Sequence, residues 1–331
     1  MLQLFRTNAP IAAIFLLIYT FIIRLHHFIL PTDWQPGTSN FFSDIIYNWV
    51  GTNGALPNII ALLLVFFQAF ILNEIVANYK MRRTATYLPG LAYVLVASAI
   101  PQFLELHPLH FANTFTILAI NQLFQSYRKY EAASELFNIG FFLAVGSLFY
   151  FSINILLFFS IMGLIIIRSF NLREFLIIIL GFAVPFLLVG SYLFWQDRFV
   201  EFQNIWINFY FFDLQITWNT VTYIEIGLVA FIGLLSLINF QAFYHKTNIQ
   251  VQKYVNMIYW AMFIALGSFV YQENITTGHL LIFAPPLAIF LGFSLLKIKN
   301  VIIAELLHFT LLLIVLVLQY RTVLLDSIIT N

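Results

Sequence analysis

The chain reads EAASELFNIGFFLAVGSLFYFSINILLFFSIMGLIIIRSFNLRE from Glu131 to Glu174. Its apolar part is long enough for two helices that turn near Ser152, or for one long broken helix. Basic residues flank that part on both sides: Arg128, Lys129, Arg168 and Arg173. Cytoplasmic loops of membrane proteins carry an excess of Lys and Arg, so both basic pairs belong on the same side of a membrane. We therefore expect this stretch to cross the bilayer twice.

The same alternation of apolar runs and basic ends continues along the whole chain. Of 15 Lys and Arg residues, the following fall at alternate ends of successive apolar runs: Arg6, Lys80, Arg82, Arg83, Arg128, Lys129, Arg168, Arg173, Lys246, Lys253, Lys297 and Lys299. A membrane span needs about 20 apolar residues. The pattern predicts an all-α, polytopic transmembrane helical bundle of about eleven spans with its N-terminus inside.

The eleven predicted spans are Pro10–Leu30, Pro57–Tyr79, Tyr87–Leu104, Pro108–Ser126, Phe137–Phe151, Ile153–Ser169, Phe175–Phe194, Thr222–Phe240, Val255–Tyr271, His279–Leu296 and Val301–Tyr320. We treat residues 1–331 as a single integral membrane domain with two long outer loops, at about 31–56 and 196–221. The loops contain FFSDIIYNWV (Phe41–Val50) and FVEFQNIWINFYFF (Phe199–Phe212), whose spacing suits amphipathic helices on the membrane surface.

Composition excludes several classes of protein. Hydrophobic residues make up 62% of the chain and charged residues 9%, whereas soluble domains have about 25% charged residues. A net charge of +1 leaves no basic surface for nucleic acid. The absence of cysteine excludes disulfides, thiol catalysis and cysteine metal sites. No Walker, GxGxxG, GxSxG or HExxH motif is present, so the corresponding enzyme classes are unsupported.

Acidic residues of the first outer loop are the candidate catalytic groups. Asp33 and Asp44 lie there, with Tyr47 one helical turn after Asp44. A carboxylate can accept the proton of an attacking hydroxyl and so act as a general base. The alternative is that both are solvated loop acids or helix caps, since Ser43 and Asp44 suit the first turn of a short helix.

Arginine and histidine residues near the outer side are candidate substrate-binding groups. Arg24 and Arg198 have the fork geometry that matches phosphate, or else they reach for the interface or pair with a local acid. Glu201 lies beside Arg198 in the second loop. His107 and His110 are spaced to share a divalent metal with Glu105, or they bracket the start of the fourth span around Pro108. We expect no cofactor and no closed metal site.

Glu305 and His308 share one face of the last span. Ionisable residues inside a span suggest a proton relay. The alternative is a capping or inter-helix hydrogen bond near the span boundary.

The layout resembles that of the GT-C fold, the polytopic glycosyltransferases that take sugars from polyprenyl-phosphate donors. The resemblance lies in a first span followed by a long acidic outer loop with a surface helix, TDWQ (Thr32–Gln35) and SDIIYNWV (Ser43–Val50), and in the two short helices and basic turn of Glu131–Glu174. It implies a catalytic carboxylate in the first outer loop, here Asp44 or Asp33. The first loop departs from the family pattern in having no adjacent Asp-Glu pair. The segment NEIVANYKMRRTATYLPGLAYVLVAS (Asn73–Ser98) is also similar to a family of integral membrane proteins of Bacteroidota, which implies a cell-envelope context.

The leading hypothesis from the sequence is a GT-C-like glycosyltransferase of the bacterial inner membrane. It would move a sugar from a polyprenyl phosphate to an extracytoplasmic acceptor, with Asp44 or Asp33 as base and Arg24 or Arg198 near the lipid phosphate. A non-enzymatic component of an envelope assembly is the first alternative. A transporter or flippase is the second, although transporters commonly show internal repeats that this chain lacks.

Overall fold

The computed structural model describes residues 1–7, 9–29, 34, 40–82, 84–168, 171–200, 202–203, 216, 218–244, 247–270 and 275–329. Helices dominate this part of the chain, as the composition predicts. The α-helices are α1 (Leu2–Phe5), α2 (Pro10–Ile29), α3 (Phe41–Val50), α4 (Ala55–Asn78), α5 (Leu88–Val96), α6 (Pro108–Gln125), α7 (Ala133–Phe149), α8 (Leu156–Ile167), α9 (Leu172–Trp195), α10 (Thr220–Tyr244), α11 (Ile249–Ala265), α12 (Ala284–Lys297) and α13 (Val301–Ile329). Short 3-10 helices cover Pro101–Phe103, Phe151–Ile155, Leu266–Val270 and Thr277–Phe283.

Within the described residues, six helical segments are long and apolar enough to cross a membrane: Pro10–Ile29, Ala55–Asn78, Leu172–Trp195, Ile249–Val270, Thr277–Lys297 and Val301–Arg321. Shorter apolar helices occupy Ala133–Phe149, Phe151–Ile167 and Thr220–Leu235. The multi-pass helical architecture is thus confirmed. The count of eleven spans and the inside location of the N-terminus remain predictions.

The third predicted span, Tyr87–Leu104, is not one continuous helix. Helix α5 ends at Val96, and a 3-10 turn at Pro101–Phe103 follows. Proline has no N–H to donate, and it drives the residue before it out of the helical region. Ile100 accordingly has an extended backbone, with φ −116° and ψ 141°. Every residue of α5 is buried, and broken helices are tolerated at membrane depth where protein surrounds them.

The turn predicted near Ser152 is confirmed. Helix α7 ends at Phe149, Tyr150 has an extended backbone, and the 3-10 turn at Phe151–Ile155 leads into α8. Helix α7 packs closely on α9 because glycines face backbone at the crossing. A side chain on Gly140 would overlap the Ile178 carbonyl, and one on Gly181 would overlap the Phe137 carbonyl. Small residues at such crossings allow membrane helices to approach closely.

The bundle has two chemically distinct ends. The basic end contains the described members of the predicted inner set of cations: Arg6, Lys80, Arg82, Arg128, Lys129, Arg168, Arg173, Lys253, Lys297 and Lys299. Three of these cations bond to carbonyls at helix C-termini. Arg168 donates to Ser126 after α6, Lys253 donates to Ile167 at the end of α8, and Arg6 donates to Leu295 and Ile298 at the end of α12.

The opposite end, which we call the α3 end, is marked by α3 itself. Asn40 and Ser43 form a capping box that starts this helix. Ser43 and Tyr47 are buried, while Asp44 and Trp49 are exposed. The predicted amphipathic helix of the first loop is therefore confirmed, while its place on the membrane surface remains a prediction. Most of Phe199–Phe212, the second predicted surface helix, lies outside the described residues.

Candidate functional site

Helix α3 carries an exposed carboxylate, Asp44, and one turn later a buried phenol, Tyr47. The Tyr47 hydroxyl donates a hydrogen bond of 2.7 Å to the carbonyl of Leu106. Burial, and to a smaller extent the negative charge of Asp44, raises the pKa of Tyr47 well above its ordinary value. The phenol therefore stays protonated and acts as a donor. Asp44 lies in the first helical turn, where the helix dipole favours a negative charge.

The Leu106 carbonyl that binds Tyr47 belongs to the segment Phe103–His107, which we call the clamped turn. Side chains of α2 also bind this segment. The Arg24 guanidinium donates to the carbonyls of Phe103 at 3.0 Å and Leu104 at 2.7 Å. His27 pairs with Glu105 at 2.9 Å, and both side chains are buried. Side chains of α2 and α3 therefore fix four successive residues of this segment, counting the Leu106 carbonyl that binds Tyr47.

Arg24 is 1% exposed and lies in α2. Besides the carbonyls of the clamped turn, its guanidinium binds the carbonyl of Ala97, the C-cap residue of α5. A helix that stops inside a bundle leaves carbonyls without partners, and an arginine can satisfy several of them at once. Arg24 therefore stabilises the non-helical segment that follows α5.

His107 and His110 belong to the same buried network. His107 Nδ1 accepts the N–H of Leu109 at 3.1 Å and so caps α6. Burial lowers the pKa of His107 to about 3, so the imidazole is neutral and its Nε2 carries the proton. His110 Nε2 lies 2.9 Å from the Phe103 carbonyl. The predicted bracketing of the start of α6 by these two histidines is consistent with this arrangement.

An apolar cavity of about 670 Å³ lies along the half of α9 nearest the α3 end. Its walls are mostly aromatic, and they are formed by Phe182, Ala183, Phe186, Leu187, Gly190, Ser191, Phe194, Trp195, Phe199 and Phe202. The ring of Phe202 lies against Gly190, where a Cβ would come within 3.3 Å of it. The cavity thus forms where the chain turns after α9 and packs back on that helix.

Arg198 lies in this turn. Helix α9 ends in a Schellman motif: Asp197 has φ 58°, its N–H bonds to Phe194, and the N–H of Arg198 bonds to Leu193. Trp195 and Phe199, on either side of the turn, both line the cavity. The motif therefore fixes the backbone of an exposed arginine at the cavity rim.

The N-terminal part of α3 packs next to the cavity. Phe41 contacts Tyr192 of α9 with ring centroids 6.3 Å apart, and both Phe41 and Phe42 pack on a cluster that includes Phe186. Asp44 follows Phe41 by three residues, so both lie on one side of the helix. Asp44 is thus an exposed residue of the helix whose first turn packs next to the cavity.

No protein-family model and no curated protein sequence matches this chain. Two solved structures are similar to it. The crystal structure of ArnT from Cupriavidus metallidurans bound to undecaprenyl phosphate matches with a TM-score of 0.49 and 13% identity over 89% of this chain and 57% of that chain. The apo state of the same protein gives 0.46 and 12% over 86% and 55%.

The chain therefore spans a little over half the length of ArnT. ArnT is a polyprenyl-phosphate-dependent glycosyltransferase of the GT-C fold, the fold class that the loop layout resembles. Similarity of this size assigns neither an activity nor a residue role to the present chain.

The predicted site residues thus fall into two groups. Asp44 and Arg198 are exposed, on α3 and in the turn after α9, whereas Arg24, Tyr47, His107 and His110 lie in the buried network around the clamped turn. Asp33 and Glu201 fall outside the described residues. Within the described part, no group of three or more His, Asp or Glu side chains is close enough to hold a metal ion.

A second buried chain of hydrogen bonds has no sequence signature. Tyr150 donates to His279 Nδ1 at 2.7 Å, and His279 Nε2 lies 2.7 Å from Ser268 Oγ, whose hydroxyl bonds to the Ala265 carbonyl. These donors and acceptors match when the histidine is neutral. Up to 129 positions separate the partners, so spacing along the sequence carries no information about them. These hydrogen bonds join Tyr150, which precedes one 3-10 turn, to residues of two other 3-10 segments. They stabilise the core at the α3 end.

Proposed function

We propose that this chain is a GT-C-like membrane glycosyltransferase that moves a sugar from a polyprenyl-phosphate donor to an acceptor in the cell envelope. The α3 end would face the extracytoplasmic side of the bacterial inner membrane. The observation that supports the proposal is an apolar cavity with an exposed arginine in the turn between two of its lining residues and a helix with an exposed carboxylate packed next to it.

The cavity and Arg198 suit the donor lipid. Aromatic walls along a lipid-facing helix accommodate an isoprenoid chain by apolar contact. A guanidinium at the rim binds phosphate through charge-assisted hydrogen bonds. The backbone of Arg198 is fixed by the Schellman motif, so binding loses less conformational freedom than it would on an open loop.

Asp44 suits the acceptor side of the reaction. Its carboxylate would take the proton of an acceptor hydroxyl while the hydroxyl oxygen bonds to the anomeric carbon. The bond between that carbon and the lipid phosphate breaks, and the phosphate leaves with the additional negative charge. Arg198 stabilises this charge, so the two residues act on opposite sides of the transferred sugar.

A non-enzymatic role in an envelope assembly is the second candidate. It is favoured by the use of Arg24, Tyr47, His107 and His110 in internal hydrogen bonds. On this view Asp44 and Arg198 are ordinary surface charges.

Lipid binding by the purified protein in nanodiscs tests the donor site. We expect a C55 isoprenyl phosphate to bind more tightly than the C55 alcohol, and Arg198→Gln to weaken phosphate binding by roughly 10- to 100-fold, as expected for lost hydrogen bonds to a charged group. Arg173→Gln, at the opposite end of α9, is the matched control and should leave binding unchanged. Equal affinity for phosphate and alcohol in every variant would leave the non-enzymatic role as the better explanation.

A further inference from the structure

Polar side chains contact the rest of the bundle near both ends of helix α3. Near its start, the Asn40 amide lies 3.5 Å from the Ser147 carbonyl, a long contact. Near its end, the Tyr47 hydroxyl bonds to the Leu106 carbonyl at 2.7 Å. Apolar contacts from Phe41 and Phe42 to α9 and α7 also hold the helix. The shorter bond is the better candidate for setting the position of the helix.

The acceptor of this bond is held in place by its neighbours. Leu104 and Glu105 precede Leu106 and are bound by Arg24 and His27, while His107 follows it and caps α6. The Tyr47 ring itself is buried against Ala61 and Leu106 and contacts Trp34 edge-on, with centroids 6.2 Å apart. A rigid acceptor and a packed donor together fix the distance of α3 from the bundle.

We propose that Tyr47 is a positioning residue for the Asp44 carboxylate. Its hydroxyl would dock α3 on the clamped turn and so hold Asp44 at the cavity rim. The two residues are one helical turn apart, so a shift of the helix moves both. This inference rests on the proposed function for its catalytic consequence, while the docking itself can be measured without any activity.

Tyr47→Phe is the informative change because the ring and its packing remain while the tether is lost. The Leu106 carbonyl is then left unsatisfied unless α3 moves to admit water. Tyr19→Phe is the matched control. It removes another buried hydroxyl, one that lies 3.1 Å from His308 in the last helix and does not touch α3.

The chain has no cysteine, so spin labels at Asn48→Cys on α3 and Leu188→Cys on α9 report only their own separation. We expect pulsed electron–electron double resonance to show a broadened or shifted distance distribution in Tyr47→Phe and the original distribution in Tyr19→Phe. An unchanged distribution in Tyr47→Phe would overturn the docking role.

Kinetics test the catalytic consequence. In a sugar-transfer assay we expect Tyr47→Phe to lower kcat by about 3- to 10-fold, the usual worth of one hydrogen bond, with KM for the lipid donor unchanged. A change in KM alone would overturn the link to Asp44. If α3 shifts in Tyr47→Phe but the wild-type protein transfers no sugar and binds no lipid phosphate, the proposed function fails while the docking role stands.

Discussion

Arg24 and Arg198 have opposite surroundings although both were candidates for binding a lipid phosphate. Arg24 is buried, and backbone carbonyls take up its hydrogen-bonding capacity. Arg198 is exposed in the turn after α9, next to an apolar cavity. An arginine bound to three fixed carbonyls has little capacity left for a ligand, because its donors point along a fixed fork. Arg24 is therefore a poor candidate for contact with substrate.

Asp44 is the residue on which the enzymatic hypothesis depends most directly. Asp44→Asn keeps the shape of the side chain and removes its ability to accept a proton. We expect turnover to fall by about 10²- to 10⁴-fold, the usual contribution of a general base, with lipid binding and Tm close to wild type because the side chain is exposed.

Complementation of an envelope-glycan defect in a deletion strain measures the effect of Asp44→Asn in the absence of a known acceptor. Asp33→Asn is the internal control, since only one of the two carboxylates should be essential. Full rescue by both variants would favour the non-enzymatic role.

At the scale of the helices, cations act as C-terminal caps. Arg168, Lys253 and Arg6 donate to carbonyls at the ends of α6, α8 and α12, and Arg24 does the same for α5. The helix dipole favours positive charge at these positions. The residues that indicate the topology from the sequence are thus also used to satisfy helix ends within the fold.

The crossing of α7 and α9 supports the cavity, because α9 provides most of its wall. Gly181→Ala places a methyl group against the Phe137 backbone, and overpacking of this kind costs about 1–3 kcal/mol. We expect a lower Tm in detergent, followed by circular dichroism. Gly227→Ala in α10 is the control, since nothing lies within 4 Å of its added Cβ. An unchanged Tm in Gly181→Ala would show that the helices can separate without cost.

For the whole molecule, the sorting of charges between two ends sets the expected orientation. Positive residues favour the cytoplasmic side, so the basic end should face inward. An impermeant maleimide should label Asn48→Cys and Gln196→Cys in intact spheroplasts, and Arg173→Cys and Lys299→Cys only after permeabilisation. All four positions are exposed. Labelling of both pairs in intact cells would contradict a single orientation.

Local features of the fold were predictable from the sequence. The α3 helix follows from its capping residues and aromatic spacing, and the turn near Ser152 follows from the charges around it. The break after α5 was missed although Pro101 signals it, because the apolar character of Tyr87–Leu104 suggested a continuous span. Hydropathy measures the cost of burial and is insensitive to the missing N–H of a proline.

The candidate site was predictable only in part. Asp44 and Arg198 were identified by charge in loops that were expected to lie outside the membrane. The apolar cavity along α9 depends on Phe202 folding back on Gly190, a contact with no periodic signature. The Arg24 contacts join residues up to 80 positions apart, so the sequence could identify the arginine but not its partners.

The bond between Arg24 and Leu104 has a consequence for biogenesis. The two residues are 80 positions apart, so at about 5–20 residues per second a ribosome needs roughly 4–16 s to make the second after the first. In that interval the last third of the first apolar helix contains a guanidinium without its carbonyl partners, and the cost of such a charge rises to about 2.5–3.5 kcal/mol at the centre of a span. The final depth of α2 in the membrane is therefore set only when a later segment emerges from the translocon. In a nascent chain stalled before Ala97, α2 would lack these hydrogen bonds.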